Sequence, residues 1–176
     1  MKIFRLSKQA LREAIPQLND ILIDGVNNGA SVGFLAPLDE RRATQYWRSI
    51  EDSIEQDSRW IWVATVDGKL VGSVQLEFCQ RENGLARAEV QKLLVLREYR
   101  RKGVATALMN TVEDAALDQR RKLLVLDTES NSAAETFYLE LGYQLAGRIP
   151  SYANSPDGHL HATAIFYKQL QEEQWL

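Results

Sequence analysis

The sequence has few of the residues that bind metals or form disulfides. Its 176 residues contain one cysteine, Cys79, which excludes an intrachain disulfide and a zinc site built from several thiolates. The two histidines, His159 and His161, have the spacing of neighbours on one face of a strand. A two-histidine metal site with a distant carboxylate stays open, but a polar pair on a strand is the simpler interpretation. We therefore predict no bound metal.

Long apolar runs and an excess of positive charge are also missing. No segment is long enough to span a bilayer or to act as a signal peptide, which favours a cytoplasmic protein without a membrane partner. The 21 Lys and Arg residues are outnumbered by 24 Asp and Glu residues, so there is no basic footprint for a nucleic-acid partner. Without repeats or linkers, we expect one domain over residues 1–176.

Changes in hydrophobic period predict an α+β fold. Helical spacing runs from Leu11 to Leu22, and again from an N-cap at Asp39 to Ile54. Three antiparallel strands follow, with turns at Asp67-Gly68 and at Asn83-Gly84. The middle strand alternates apolar and polar residues, which indicates that it is buried on one face only.

The second half of the chain predicts a β-α-β crossover. A helix over residues 103–121 separates a strand at 87–96 from a short apolar strand at 123–127, so these two strands are parallel neighbours. A helix over about 132–141, capped by Gly142, and two more strands complete the domain. The expected architecture is a mixed, mostly antiparallel sheet with helices on both faces.

The junction between strand 87–96 and the next helix reads Arg100-Arg101-Lys102-Gly103-Val104-Ala105. A glycine lets backbone amides converge, and a helix N-terminus adds unpaired N–H groups and the positive end of its dipole. These features fit a polyphosphate, although the same residues also fit a solvated basic turn that only caps the helix. The position inside a β-α-β unit favours the phosphate site. The glycines and Lys-Ser/Thr of a Walker loop or dinucleotide fingerprint are missing.

Two segments resemble motifs of the GNAT superfamily of N-acetyltransferases. Val90–Ala107 contains the Arg/Gln-x-x-Gly-x-Gly/Ala pattern of motif A, and Asn131–Tyr143 is similar to motif B. Other stretches, among them residues 29–34, 87–93 and 126–129, resemble the tabtoxin-resistance type within that superfamily. The resemblance implies a splayed pair of parallel strands, acetyl-CoA as the donor, and a small amino-acid-like or peptide-like amine as the acceptor.

The resemblance also implies where CoA binds. Backbone groups after the middle of strand 87–96 would pair with the pantetheine arm, as an added strand pairs with a sheet edge. The basic turn would hold the pyrophosphate, and the motif B helix would line the thiol end. The implied cofactor residues are Leu94, Val95, Leu96, Arg100, Arg101, Lys102, Gly103, Val104, Ala105, Thr106, Asn131, Ala134 and Tyr138.

Three side chains are candidates for catalysis. Direct transfer needs a deprotonated amine, and Glu89 is the leading general base; in a regular strand it shares a face with Gln91, Leu93 and Val95. By resemblance, Asp127 is a second acid facing the acceptor and Tyr138 protonates the leaving thiolate. Their alternative roles are a solvent group at a sheet edge for Glu89, a loop or helix cap for Asp127, and a packed aromatic for Tyr138.

The acceptor is expected at a mouth opposite the CoA gap. By resemblance, the residues that line it are Ser31, Phe34, Asp127, Tyr152 and His161. Ser31 also lies in a Gly-x-Ser-x-Gly sequence at residues 29–33, the pattern of a hydrolase nucleophile elbow. That elbow needs a strand before the serine and a helix after it, whereas here a helix precedes and a proline-containing loop follows.

Three alternatives remain at the level of function and assembly. A non-catalytic acyl-CoA-binding module would share the fold, but the presence of both Glu89 and Tyr138 favours an enzyme. A protein or peptide N-acetyltransferase would differ in having a wider acceptor groove. A homodimer is compatible with the sequence.

Overall fold

The computed structural model describes residues 1–170 and contains one sheet with helices on both faces. The strands are β1 (Lys2–Arg5), β2 (Arg59–Val66), β3 (Lys69–Phe78), β4 (Arg87–Val95), β5 (Leu123–Glu129), β6 (Gln144–Asn154) and β7 (Leu160–Gln169). The α-helices are α1 (Lys8–Asn27), α2 (Glu40–Ser49), α3 (Glu51–Glu55), α4 (Val104–Asp118) and α5 (Ala133–Glu140). Short 3₁₀ turns cover Glu82–Gly84 and Arg97–Tyr99.

The strands within residues 1–170 follow the spatial order β1-β2-β3-β4-β5-β7-β6. Neighbouring strands are antiparallel except β4 and β5, which are parallel and connected through α4. These two strands pair only from Arg87 opposite Leu123 to Glu89 opposite Val125. The rest of β4 has no partner on that side. This arrangement confirms the predicted α+β fold, including the splayed parallel pair.

Each face of the sheet has its own apolar core. On one face, α4 and α5 pack against β3, β4 and β5 through residues such as Leu108, Leu124 and Tyr138. On the other face, α1 and α2 pack through residues such as Leu18 and Trp47. The predicted helical spacings therefore mark the buried stripes of these helices. Because the sheet separates the two cores, alternate residues of each strand contribute to different faces.

A β-bulge in β4 shifts the pairing with β3. Gln75 pairs with Gln91, but Ser73 pairs with Leu94, so Lys92 and Leu93 occupy one position of the ladder, and Lys92 has φ of 50°. An inserted residue reverses the alternation of side chains beyond it. The expectation that Glu89 shares a face with Leu93 and Val95 is therefore wrong: both pack into the α4 core, whereas Glu89 points to the α1 and α2 side.

Two further expectations need correction. The predicted second helix has its N-cap at Asp39, which accepts from the Arg42 amide at 2.8 Å, but it breaks at Ile50 into α2 and α3. The polar row of β3 does not face solvent, because Ser73 and Gln75 are fully buried beneath the helices of that face. Among residues 1–170, no helix is long and apolar enough to cross a bilayer.

The packing around Gly72 gives a test of the fold. A Cβ on Gly72 would lie 3.0 Å from the Leu94 carbonyl oxygen and 3.1 Å from Val104 Cγ1, whereas a Cβ on Gly147 would meet nothing within 4 Å. Gly72→Ala should lower the free energy of unfolding by about 1–3 kcal/mol, the usual cost of overpacking. Gly147→Ala is the matched control and should be neutral or slightly stabilising. Urea unfolding of both variants checks this, and equal stabilities would contradict the β3–β4–α4 packing.

Candidate active site

The turn between β4 and α4 presents unpaired backbone amides. Gly103 has φ of 78° and Arg101 has φ of 59°, and the first amide of this segment bonded inside α4 is that of Ala107, which donates to the Gly103 carbonyl at 3.0 Å. No described carbonyl accepts from the N–H groups of residues 101–103, and those of 104–106 are the unpaired amides of a helix start. This group of donors fits a pyrophosphate.

The open edge of β4 lies next to this turn. The Leu96 amide donates to the Val71 carbonyl at 2.9 Å, so it is already engaged by β3. Antiparallel ladders alternate, which directs the backbone groups of Val95 away from β3. The Val95 carbonyl accepts instead from Arg100 Nε at 3.1 Å. Of the three residues expected along the pantetheine arm, Val95 thus faces the gap with its backbone.

Glu89 lies at the point where β4 and β5 part. It occupies the last pair of their ladder, opposite Val125, and it is half-buried. Its Oε1 atom accepts from Gln91 Nε2 at 3.0 Å, and no cation within residues 1–170 forms an ion pair with it. A carboxylate with one neutral donor and no bound cation keeps lone pairs free to accept a proton.

A polar network surrounds Glu89 on the same face. Glu77 stands directly opposite Glu89 on β3, and Gln91 Nε2 also donates to Glu77 Oε2 at 3.0 Å. Arg59 neutralises Glu77 through an ion pair of 2.5 Å and donates to Gln75. The Tyr46 hydroxyl also donates to Gln75 at 3.0 Å, which links α2 to the sheet. Because Arg59 compensates Glu77, the two facing carboxylates differ in environment.

The sequence predicts that Asp127 ends its strand, but β5 continues to Glu129 and Asp127 lies inside it. Thr163 Oγ1 on β7 donates to its Oδ2 atom at 3.0 Å, and the carboxylate is otherwise exposed. It does not cap the following helix, because Ser132 is the N-cap of α5 and accepts from the Glu135 amide. Leu124 and Leu126 point into the α4 core, so Asp127 lies on the opposite face, the one that carries Glu89.

Tyr138 lies on α5 and is buried in the core between this helix and the sheet. Burial raises the pKa of its phenol, and the nearby Asp127 carboxylate raises it further, so the hydroxyl is a weaker acid than that of an exposed tyrosine. The other expected thiol-end residues flank it: Ala134 packs against the core, and Asn131, with φ of 62°, donates its amide to Glu135 at 2.7 Å. Ser132 caps α5 by accepting from the Glu135 amide, and the Glu135 carboxylate holds the preceding residue, so both fix the start of the helix.

The loop between α1 and α2 contacts the turn between β6 and β7. The Ala36 amide donates to the Pro156 carbonyl at 2.9 Å, beside a shallow cavity of about 400 Å³. Within this loop Phe34 packs edge-on against Tyr46, with ring centres 5.5 Å apart, and Ser31 is half-buried. The structure therefore places the α1–α2 loop, which carries Ser31 and Phe34, next to the β6–β7 hairpin.

The remaining acceptor candidates lie on the β6–β7 hairpin. Tyr152 is 54% exposed on β6, while His161 Nδ1 on β7 lies 3.6 Å from Glu129 Oε1. His159 lies in the turn before β7, and its Nδ1 is 3.2 Å from Asp157 Oδ2 in the same turn. The expectation that both histidines lie on one strand is therefore wrong. In the described part of the chain, no three metal-binding side chains come together.

Sequence reasoning missed Lys92, which reaches the same face. Its ammonium lies 5.3 Å from the ring centre of Tyr46 and 6.0 Å from that of Phe34. Burial lowers its pKa, Arg59 lowers it further, and Asp127, Glu89 and Glu77 oppose that change. Arg59, Glu77 and Gln91 were missed as well. The polar row on β3 was the available signal for Glu77, but nothing in the residue pattern marks the bulge.

The amide-rich turn and the open edge of β4 fit an extended ligand that carries a phosphate group. Residues 27–143 match the acetyltransferase (GNAT) family, and the chain belongs to it. Acetyl-CoA is the acetyl donor in this family, and the residues of the β4–α4 turn fit its pyrophosphate.

Two similar proteins are named for different small molecules. The chain is 28% identical over 129 residues to N-acetylaspartate synthetase from Xenopus tropicalis, which covers 68% of this chain but only 46% of that relative. It is 22% identical over 138 residues to streptothricin acetyltransferase A from Bacillus subtilis strain 168, covering 74% and 78% of the two chains. The chain thus spans less than half the length of the first relative.

The fold is also that of solved acetyltransferases. A putative acetyltransferase from Salmonella typhimurium, solved with acetyl-CoA, superposes with a TM-score of 0.77 at 16% identity, covering 100% of this chain and 97% of the other. At that identity the similarity shows the fold alone.

The β4–α4 turn yields a binding prediction. Gly103→Pro should remove one amide and force φ away from 78°, so its affinity for CoA should fall at least about tenfold. Arg100→Ala should weaken binding only modestly. Gly68→Pro, in the β2–β3 turn with φ of 79°, is the matched control for strain and should leave CoA affinity unchanged. Calorimetric titration with CoA measures all three, and wild-type affinity in Gly103→Pro and Arg100→Ala would reject the site.

Proposed function

We propose that this chain transfers acetyl from acetyl-CoA directly to the amine of a small amino-acid-like or peptide-like molecule, with Glu89 as general base. The observation that carries the proposal is the position of two carboxylates at the fork between β4 and β5. Glu89 closes the last pair of the parallel ladder, and Asp127 follows Val125 by two residues on the same face of β5. An ammonium group entering at this fork would meet both.

The chain's own groups supply the proton transfers. Acetyl-CoA, when bound, supplies the acetyl group as a thioester. Glu89 takes a proton from the acceptor's ammonium nitrogen, which frees the lone pair that forms the new C–N bond. Tyr138 is protonated at neutral pH and can donate its phenolic proton to the thiolate sulfur released when the C–S bond breaks. The nitrogen loses its second proton as the amide forms, and this proton restores the phenol. Asp127 holds the ammonium group in place.

Two of the relatives support a small acceptor without identifying it. N-acetylaspartate synthetase and streptothricin acetyltransferase are named for small amine acceptors or their products. The closer likeness to the tabtoxin-resistance type, the cytoplasmic location and the homodimer stay predictions.

A thiol-release assay with acetyl-CoA and a panel of amines tests the function. Acetylation of peptides alone would favour the protein-directed alternative, and CoA binding without turnover would favour the non-catalytic module.

Glu89→Gln tests the base. The substitution keeps the size of the side chain but removes the proton acceptor, so turnover should fall by about 10²–10⁴-fold and the acidic limb of the pH–rate profile should disappear. Acetyl-CoA affinity should be unchanged. Glu77→Gln, which alters the facing carboxylate already paired with Arg59, is the control and should have a much smaller effect on turnover. A loss of less than about threefold in Glu89→Gln would move the role to Asp127 or to a water chain.

Asp127→Asn tests the contact with the ammonium group. The side chain is exposed and caps no helix, so its substitution should cost little stability. Because the charge that holds the ammonium group is lost, the acceptor KM should rise, while that of acetyl-CoA should change little. Steady-state kinetics and thermal unfolding are measured on the same variant. An unchanged acceptor KM with a lowered melting temperature would mean that Asp127 has a structural role only.

A further inference from the structure

Lys92 differs from the other partly buried lysines in the described part of the chain. Lys8 and Lys168 each have a carboxylate oxygen close to their ammonium group, at 2.5 Å from Glu55 and 2.7 Å from Glu113 respectively. Lys92 is half-buried too, but it forms no ion pair and no hydrogen bond with any residue in 1–170. A partly buried ammonium group without an ion pair is less stabilised than a paired one, so that of Lys92 is available to bind an anion.

The ammonium of Lys92 lies at the acceptor side of the sheet. It sits by the rings of Phe34 and Tyr46, and a Cβ built on Gly33 would lie only 3.8 Å from Nζ. Lys92 therefore reaches the α1–α2 loop, while Glu89 and Asp127 act on it over a longer distance. Apart from the Arg59–Glu77 ion pair, this face therefore carries one cation and two carboxylates that form no ion pair with each other.

This separation of charge matches a zwitterion. We propose that Lys92 binds the carboxylate of the acceptor, so that the substrate is an amino acid with a free carboxylate and its ammonium group faces Glu89 and Asp127. The inference rests on the proposed function and narrows its substrate class. An unpaired cation at the mouth also disfavours polycationic amines, because like charges repel, and gives no gain in affinity for peptides that offer no carboxylate at that distance.

The bulge explains how the lysine reaches this position. Lys92 is the inserted residue, and its φ of 50° is unusual for a residue with a side chain. In a regular strand the residue after Gln91 would point into the α4 core, where a lysine could not be solvated. The bulge instead places Gln91 and Lys92 on the same side of the sheet. Bulges are often found where a side chain is redirected next to a functional site.

The experiment uses matched acceptors and four proteins. Amino acids are supplied as free acids and as the corresponding primary carboxamides, to the wild-type chain, Lys92→Met, Lys92→Arg and Lys122→Met. Lys122 is exposed directly before β5, at the end of this strand away from Asp127, so it controls for the loss of one positive charge. Thiol release gives kcat and KM, and calorimetry on the CoA-saturated protein gives acceptor affinity without turnover.

The wild type should prefer free acids over carboxamides. Lys92→Met should raise the KM and the dissociation constant for free acids about 10- to 100-fold, the usual loss for a charged hydrogen bond, and change those for carboxamides little. Lys92→Arg should retain part of the preference, and Lys122→Met all of it. Equal treatment of acid and carboxamide by the wild type, or an unchanged preference in Lys92→Met with wild-type stability, would overturn the inference.

The binding arm separates this inference from the proposed function. Lys92-dependent binding of free acids without any thiol release would support the carboxylate site and reject the enzyme. Thiol release with carboxamides and free acids alike would support the enzyme and reject the carboxylate site. Failure of every free acid to bind the CoA-saturated protein would overturn the inference whatever the turnover.

Discussion

The separation of β4 from β5 after Glu89 is the constraint on which the candidate site depends. Parallel strands normally pair along their whole length, so an unpaired edge inside a sheet has unmet hydrogen-bonding groups that something else must satisfy. Here the edge leads directly into the amide-rich turn before α4. A single extended ligand with amides at one end and phosphates at the other can satisfy both. The carboxylates of Glu89 and Asp127 lie at the apex of the same opening.

The bulge at Lys92 determines which side chains of β4 face the core under α1 and α2. It lets the first part of β4 keep polar side chains toward α1 and α2, while Leu94 and Leu96 beyond it pack into the core formed by these helices. A strand without the inserted residue would present either its charges or its leucines to the wrong face. The polar site and the apolar support beneath it therefore come from one strand.

Much of the architecture could be predicted because its signals are local. Asp67-Gly68 adopts positive φ at both positions, as a tight hairpin turn requires, and Gly142 ends α5 at a φ of 82°. The bulge could not be predicted, because its inserted lysine resembles an ordinary polar position in an alternating strand. The buried row of Ser73 and Gln75 was misjudged for a related reason: alternation reveals which residues are polar but not what covers them.

The proposed donor and acceptor sites differ in the groups that would bind the ligand: main-chain amides at the first and side chains at the second. The turn that fits the pyrophosphate relies on main-chain amides, which every residue type except proline provides, and its positive φ values are those of Arg101 at 59° and Gly103 at 78°. The acceptor side depends on the side chains of a loop, a bulge and two strands. Substitutions can accumulate on the acceptor side and alter the choice of amine while the donor site stays intact. A scaffold of this kind can change its substrate without a change in its cofactor chemistry.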